Sequence, residues 1–195
     1  MTDLFAAPDD ATPLTPDEQR ELIPTYIAYR SELNLAEQEN IAKATFWAAG
    51  TKLDTLLSEN FIKELHRRVL CDVWTWAGHY SKTEKSIGID PRAIAVEIRK
   101  LVDDVKAQID HRAYAADEIA VRLHHRLTKI HAFANGNGRH ARLMADLLIA
   151  ALGGTPFSWG RGFLHELGQV RGTYIKALRA ADDHDFGPLL AFARA

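Results

Sequence analysis

Twelve consecutive residues, His131-Ala132-Phe133-Ala134-Asn135-Gly136-Asn137-Gly138-Arg139-His140-Ala141-Arg142, set an imidazole, a glycine-rich turn and two guanidiniums in chain order. Each part suits phosphate chemistry. His131 can take a proton near neutral pH. Gly136 and Gly138 permit positive φ and let backbone N–H groups approach an anion closely. Arg139 and Arg142 can fork phosphate oxygens. Arg139 falls in the first turn of a helix, where its charge opposes the macrodipole, which points to a duty other than helix stability. Arg142 lies three residues on, on the same face, so one polyphosphate is in reach of both. Phe133, apolar in a polar loop, anchors the run into the core.

The run needs a helix on each side. The stretch 116–130 repeats apolar residues inward at Ile119, Leu123, Leu127 and Ile130, and 139–152 reads as a helix ended by Gly153-Gly154. The second helix thus offers its N-terminal N–H groups, and about half a positive charge, to whatever binds the loop.

Upstream, Thr15-Pro16-Asp17-Glu18 has the N-cap, first-turn Pro and Glu of a capping box, and Pro24 limits that helix. Asn34-Leu35-Ala36-Glu37 repeats the cap pattern and predicts a helix over 34–49, stopped by Gly50. Ser58 opens a helix to about 73. The stretch 79–90 has no helical period and carries Gly88 between Ile87 and Ile89; it reads as a short hairpin or extended flap. Asp90-Pro91 caps a helix to about 109, and two more cover 165–181 and 186–194, the last capped by Asp185. The expected fold is all-α, a bundle of about eight helices with one small β-hairpin flap. Residues 1–14 read as a loose arm.

Composition excludes several classes. The 195 residues suffice for one domain with a core, and a net charge of −2 gives no field for nucleic acid or an anionic membrane. Cys71, the one cysteine, and the absence of a membrane-length apolar run or a basic-then-apolar leader make a cytoplasmic location the expectation. His124, His125, His131 and His140 have no structural-zinc spacing. Trp74, Trp76 and Tyr174 read as core residues. His79, Tyr80, Lys82 and Lys85 are target-side candidates beside the flap.

The twelve-residue run closely resembles the signature of the Fic family, His-x-Phe-x-(Asp or Glu)-Gly-Asn-Gly-Arg-x-x-Arg, departing only at Asn135. Trp76-Ala77-Gly78 with the segment after it, and Arg171-x-x-Tyr174-x-x-Ala177-Leu178 with Ala181-Asp182 and Pro188-Leu189, extend the resemblance over residues 34–192. Thr15-Pro16 and Glu37-Gln38-x-Asn40 look most like the Fic/Doc branch called mobile mystery protein B, a label of toxin–antitoxin-like gene context.

The resemblance implies a Fic-type helical bundle with a catalytic domain over 51–195 and regulatory helices over 15–50. It implies a protein adenylyltransferase that moves AMP from ATP to a Ser, Thr or Tyr hydroxyl of a target protein. His131 is then the general base, Gly136, Asn137 and Gly138 the anion hole, and Arg139 and Arg142 the phosphate ligands. Thr83, Ser86, Ile87 and Gly88 form the target-docking flap. Mg²⁺ is implied at position 135, where an uncharged amide predicts weak metal binding. Glu39-Asn40 fits the end of the family's inhibitory motif, so Glu39 is expected to restrain Arg142; Glu37 is the second candidate, and a separate antitoxin chain the alternative. A Doc-like phosphotransferase and a catalytically quiet nucleotide-binding module remain alternatives. Oligomeric state is not legible.

Overall fold

The computed structural model describes residues 14–84, 87–161 and 167–195. Among them run nine α-helices: α1 Pro16–Glu21, α2 Arg30–Ala48, α3 Leu53–Leu56, α4 Glu59–Leu70, α5 Ile94–Asp110, α6 Ala116–Ile130, α7 Asn137–Ala151, α8 Leu167–Asp182 and α9 Gly187–Arg194. None is long and apolar enough to cross a membrane.

α6 and α7 form the central pair, and the twelve-residue run joins them. Leu123, Leu127 and Ile130 on α6 face Ala141, Met144, Ala145, Leu148 and Ile149 on α7, all buried. The two alanines let the helices approach closely, and each fully buried aliphatic side chain contributes about 1.5–3 kcal/mol. α3, α4, α5, α8 and α9 also contribute to this core.

A second core holds the N-terminal helices to the end of α4. It contains Leu22, Ile27, Leu33, Ala44, Val69, Leu70, Val73 and Trp74. The backbone joins it too: Ile23 N–H donates to Val73 O (2.9 Å) and Thr75 N–H to Glu21 O (3.0 Å). The expected capping box of α1 is present, with the Thr15 side chain accepting from Glu18 N–H and the Glu18 carboxylate from Thr15 N–H.

Three boundaries differ from expectation. α2 starts at Arg30, four residues before 34, because Glu32 rather than Glu37 is its capping carboxylate, accepting from Ala28 and Tyr29 N–H at 2.8 and 3.1 Å. Glu37 is thereby moved into the middle of the helix. α4 ends at Leu70 instead of 73, and α7 begins at Asn137, two residues early. The expected hairpin is not seen among the described residues. The backbone of the 79–90 stretch bonds elsewhere: Ser81 N–H donates to Ala132 O (2.8 Å) and Ile89 N–H to Ile130 O (3.3 Å), with a lone bridge from Tyr80 to Phe133. Lys85 and Ser86 lie outside the described residues.

Candidate functional site

His131 terminates α6 in the left-handed conformation, φ 53° and ψ 52°, with its N–H on Leu127 O. That backbone turn throws the side chain out of the helix, and for a non-glycine residue it costs of order 1 kcal/mol. The flap reinforces it. Its two ends hang on the carbonyls that flank His131, and Gly88, at φ 111°, packs so closely that a Cβ there would sit 2.8 Å from His131 Cβ. Thr83, Ile87 and Gly88 are exposed, and Ile87 shares a cavity with His131; Ser86 lies outside the described residues.

The loop is clamped from inside. Asn137 closes it by accepting from Phe133 N–H (3.0 Å) and donating to Phe133 O (2.8 Å). Its amide is therefore structural, and only its backbone N–H, in the first turn of α7, is left to meet an anion. Gly136, the N-cap, holds φ 76°, and a Cβ there would lie 2.8 Å from Leu70 Cδ1. Asn135 is exposed, and its Oδ1 accepts from Gly136 N–H at 2.7 Å.

Two buried histidines lie beneath this loop: His66, which sequence reasoning missed, and His140, weighed there only as a metal ligand. His66 stacks on Phe133 with centroids 3.6 Å apart. Its Nδ1 accepts from Gly78 N–H, so its Nε2–H donates to Asn135 O, both at 3.0 Å. His140 Nε2–H donates to Ile62 O at 3.0 Å. Burial holds both neutral, with the pKa of His66 lowered to about 3, also by the neighbouring His140 and Arg139, and that of His140 to about 4. Gly78, at φ 79°, is the one sequence clue to His66, since a Cβ there would collide with Arg67.

These shifts predict acid lability. In the unfolded chain both imidazoles titrate near 6.5, while in the fold they stay neutral down to about 3 and 4. The unfolded state therefore binds more protons below 6.5, and stability falls with pH. Asp146, raised to about 6 by burial from 3.8, acts in the opposite direction between those values, and two histidines outweigh it. Calorimetry is expected to show the melting temperature dropping from pH 7 to pH 5; a flat or rising profile would refute the neutral-histidine clamp.

One cavity of about 770 Å³ gathers most of the predicted residues. His131, Asn135, Gly136, Asn137, Gly138, Arg139, Arg142 and Ile87 line it, joined by Arg30, Asn34 and Glu37 from α2 and by Arg171 and Tyr174 from α8. Thr83 and Gly88 stand outside it.

Glu39 does not reach the site, which corrects the expectation. It is exposed, while Glu37 is buried, 4% accessible. Two residues are about 200° apart around a helix, so only one of them can face inward. The buried stripe of α2 is Leu33, Glu37, Asn40, Ala44 and Ala48. Glu37 pairs with Arg139, and its other oxygen accepts from Trp74 Nε1–H at 2.7 Å. Trp74 is thus core, as expected, and also a clamp on that carboxylate.

Residues 56–149 match the Fic/DOC family. A protein adenylyltransferase fic-1 of Caenorhabditis briggsae is 30% identical over 140 residues, 70% of this chain and 26% of that protein. The chain spans about a quarter of the length of the curated relatives it matches. Among solved structures, Fic-1 of C. elegans superposes with a TM-score of 0.68 at 22% identity, over 88% of this chain and 50% of that one. BepC of Bartonella tribocorum, with bound AMPPNP, gives 0.68 at 16% identity over 97% and 94%. By the motif, the family match and the helical fold, this chain carries a Fic/DOC family domain.

Proposed function

We propose that this chain transfers the AMP part of ATP to a hydroxyl of a target protein. The observation that carries the reading is one cavity that brings His131 together with the N-terminus of α7 and Arg139. His131 takes the proton of the acceptor hydroxyl, the freed oxygen bonds to the α-phosphorus, and the bond to the bridging oxygen breaks to release pyrophosphate. The backbone N–H groups of the first turn of α7 stabilise charge on the phosphate as it develops. Arg139 and Arg142 hold the outer phosphates. Relatives named protein adenylyltransferases, and a neighbour crystallised with AMPPNP, support the nucleotide and the reaction. The flap beside His131 presents the acceptor segment.

The test is label transfer from α-labelled and γ-labelled ATP to protein in a lysate. Label from the α-position alone is expected. Label from the γ-position alone would replace AMP transfer by the phosphotransferase reading.

The family resemblance implies Mg²⁺ beside position 135, and the residues present fit it poorly. Asn135 offers one neutral oxygen that already accepts from Gly136 N–H, and no group of three His, Cys, Asp or Glu suited to a metal occurs among the described residues. Mg²⁺ prefers carboxylate with phosphate oxygens. Restoring the charge with Asn135→Asp is expected to lower the Mg²⁺ concentration for half-maximal nucleotide binding by about tenfold, read by calorimetric titration. An unchanged titration would show that position 135 does not face the metal.

A further inference from the structure

Behind the cavity wall formed by α7 and α8 lies a polar row of which the AMP-transfer reading uses only Arg142. His124 lies on α6, seven residues before His131 and on its core side, completely buried. Its Nδ1 has no hydrogen-bond partner among the described residues. A buried polar atom without a partner is a standing penalty that an apolar side chain would avoid. The other end of the ring therefore calls for a reason. Nε2 lies 3.0 Å from the hydroxyl of Tyr174 on α8, and that hydroxyl also hydrogen-bonds the Arg142 side chain.

Donor chemistry fixes the first direction in this row. A guanidinium only donates, so the Tyr174 oxygen accepts from Arg142. The hydroxyl has one proton, and the neutral ring at 3.0 Å offers it an acceptor in Nε2. Nε2 is then bare, and the ring proton sits on Nδ1, the atom without a partner. The electrostatics agree. Burial, aided by the charge of Arg142, holds His124 neutral, and burial raises the Tyr174 pKa to about 12 so that the hydroxyl keeps its proton. Aromatic neighbours fix both rings, His124 against Trp159 at 4.6 Å and Tyr174 against Phe192 at 5.4 Å between centroids. At the far end, Arg142 Nη1 lies 4.0 Å from the place a Cβ on Gly138 would take, over the first turn of α7.

We propose that His124, as its Nδ1–H tautomer, is a positioning residue for nucleotide binding: through the Tyr174 hydroxyl it sets the Arg142 guanidinium over the N-terminus of α7. Tyr174, read from sequence as packing only, is the middle of this row. A phosphate that enters the cavity meets a guanidinium already aimed, so less side-chain freedom is lost on binding. The nucleotide in this statement rests on the AMP-transfer reading; the row of hydrogen bonds does not.

The first measurement needs no nucleotide. Long-range nitrogen–proton correlation spectra of the wild-type protein are expected to show His124 protonated at Nδ1 and bare at Nε2, the opposite of the tautomer that exposed imidazoles favour. The second is the Kd of a non-hydrolysable ATP analogue. Tyr174→Phe keeps the ring and removes the hydroxyl; it is expected to raise that Kd about tenfold. In label transfer it raises KM for ATP with kcat within about twofold, because it removes binding rather than the base. His124→Phe is expected to raise Kd similarly alone and to add nothing to Tyr174→Phe, the mark of one residue acting through the other. A proton on Nε2 of His124, an unchanged Kd in Tyr174→Phe, or additive losses in the double variant would each overturn the proposal. If the wild type binds no analogue, the nucleotide reading fails, and the tautomer alone upholds or overturns the row.

Discussion

Glu37→Gly is expected to raise label transfer by about tenfold to a hundredfold while lowering the melting temperature. The two effects come from one ion pair. Glu37 and Arg139 have side chains only 5% and 18% accessible, so little water screens the pair. Breaking a buried pair by removing one partner destabilises by about 3–5 kcal/mol. Part of that loss is the carboxylate contact of the Arg139 guanidinium, which a phosphate can replace. A carboxylate on the guanidinium fork stands where two phosphate oxygens would bind, so Glu37 and the nucleotide compete for Arg139.

Glu37→Gln separates charge from shape. Its amide oxygen can still accept from Trp74 Nε1–H, and the helix keeps a good helix former. It is expected to retain most of the stability and still raise transfer several-fold. Glu39→Gly, on the exposed face, is the control and is expected to leave transfer unchanged. If Glu37→Gly and Glu37→Gln both transfer no more label than wild type, the pair is structural and the restraint lies outside this chain.

The part of the site that was legible is the part written in consecutive residues. The His131–Arg142 run contains its own turn chemistry, and the helices on either side have apolar stripes, so the loop and the dipole it caps follow from local sequence. α6 matches its predicted bounds for the same reason. What was not legible depends on contacts across the fold. The inward stripe of α2 includes Glu37 and Asn40 among Leu33, Ala44 and Ala48, so it leaves no apolar period to read. Glu32, not the Asn34 pattern, caps that helix, and the Glu39-Asn40 pair that singles out Glu39 carries no information on which face of α2 meets the site. His66, His140 and Tyr174 lie 69, 78 and 50 residues in sequence from Asn135, Ile62 and His124, the partners that give them meaning. No spacing rule joins such pairs. Even the flap misled in this way: it lacks a helical period, but among the described residues its backbone bonds to Ile130 and Ala132 rather than to itself.

His131→Asn is expected to reduce label transfer by about a thousandfold while leaving the Kd of a non-hydrolysable ATP analogue within about twofold, since general base catalysis by a positioned side chain contributes about 10²–10⁴. Asparagine is the informative replacement, because the residue must hold φ 53° and asparagine tolerates that region better than alanine. His131→Ala adds backbone strain of order 1 kcal/mol, and any extra loss it shows measures the loop rather than the base. The cavity predicts the split between rate and binding. The anion-binding groups of α7 are set by Gly136, by the Asn137 clamp on Phe133 and by His66 under Asn135, none of which passes through the His131 ring. The base should therefore be removable without disturbing the phosphate site. Equal losses in transfer and in Kd would mean that His131 is itself a phosphate ligand, and another group would have to take the acceptor proton.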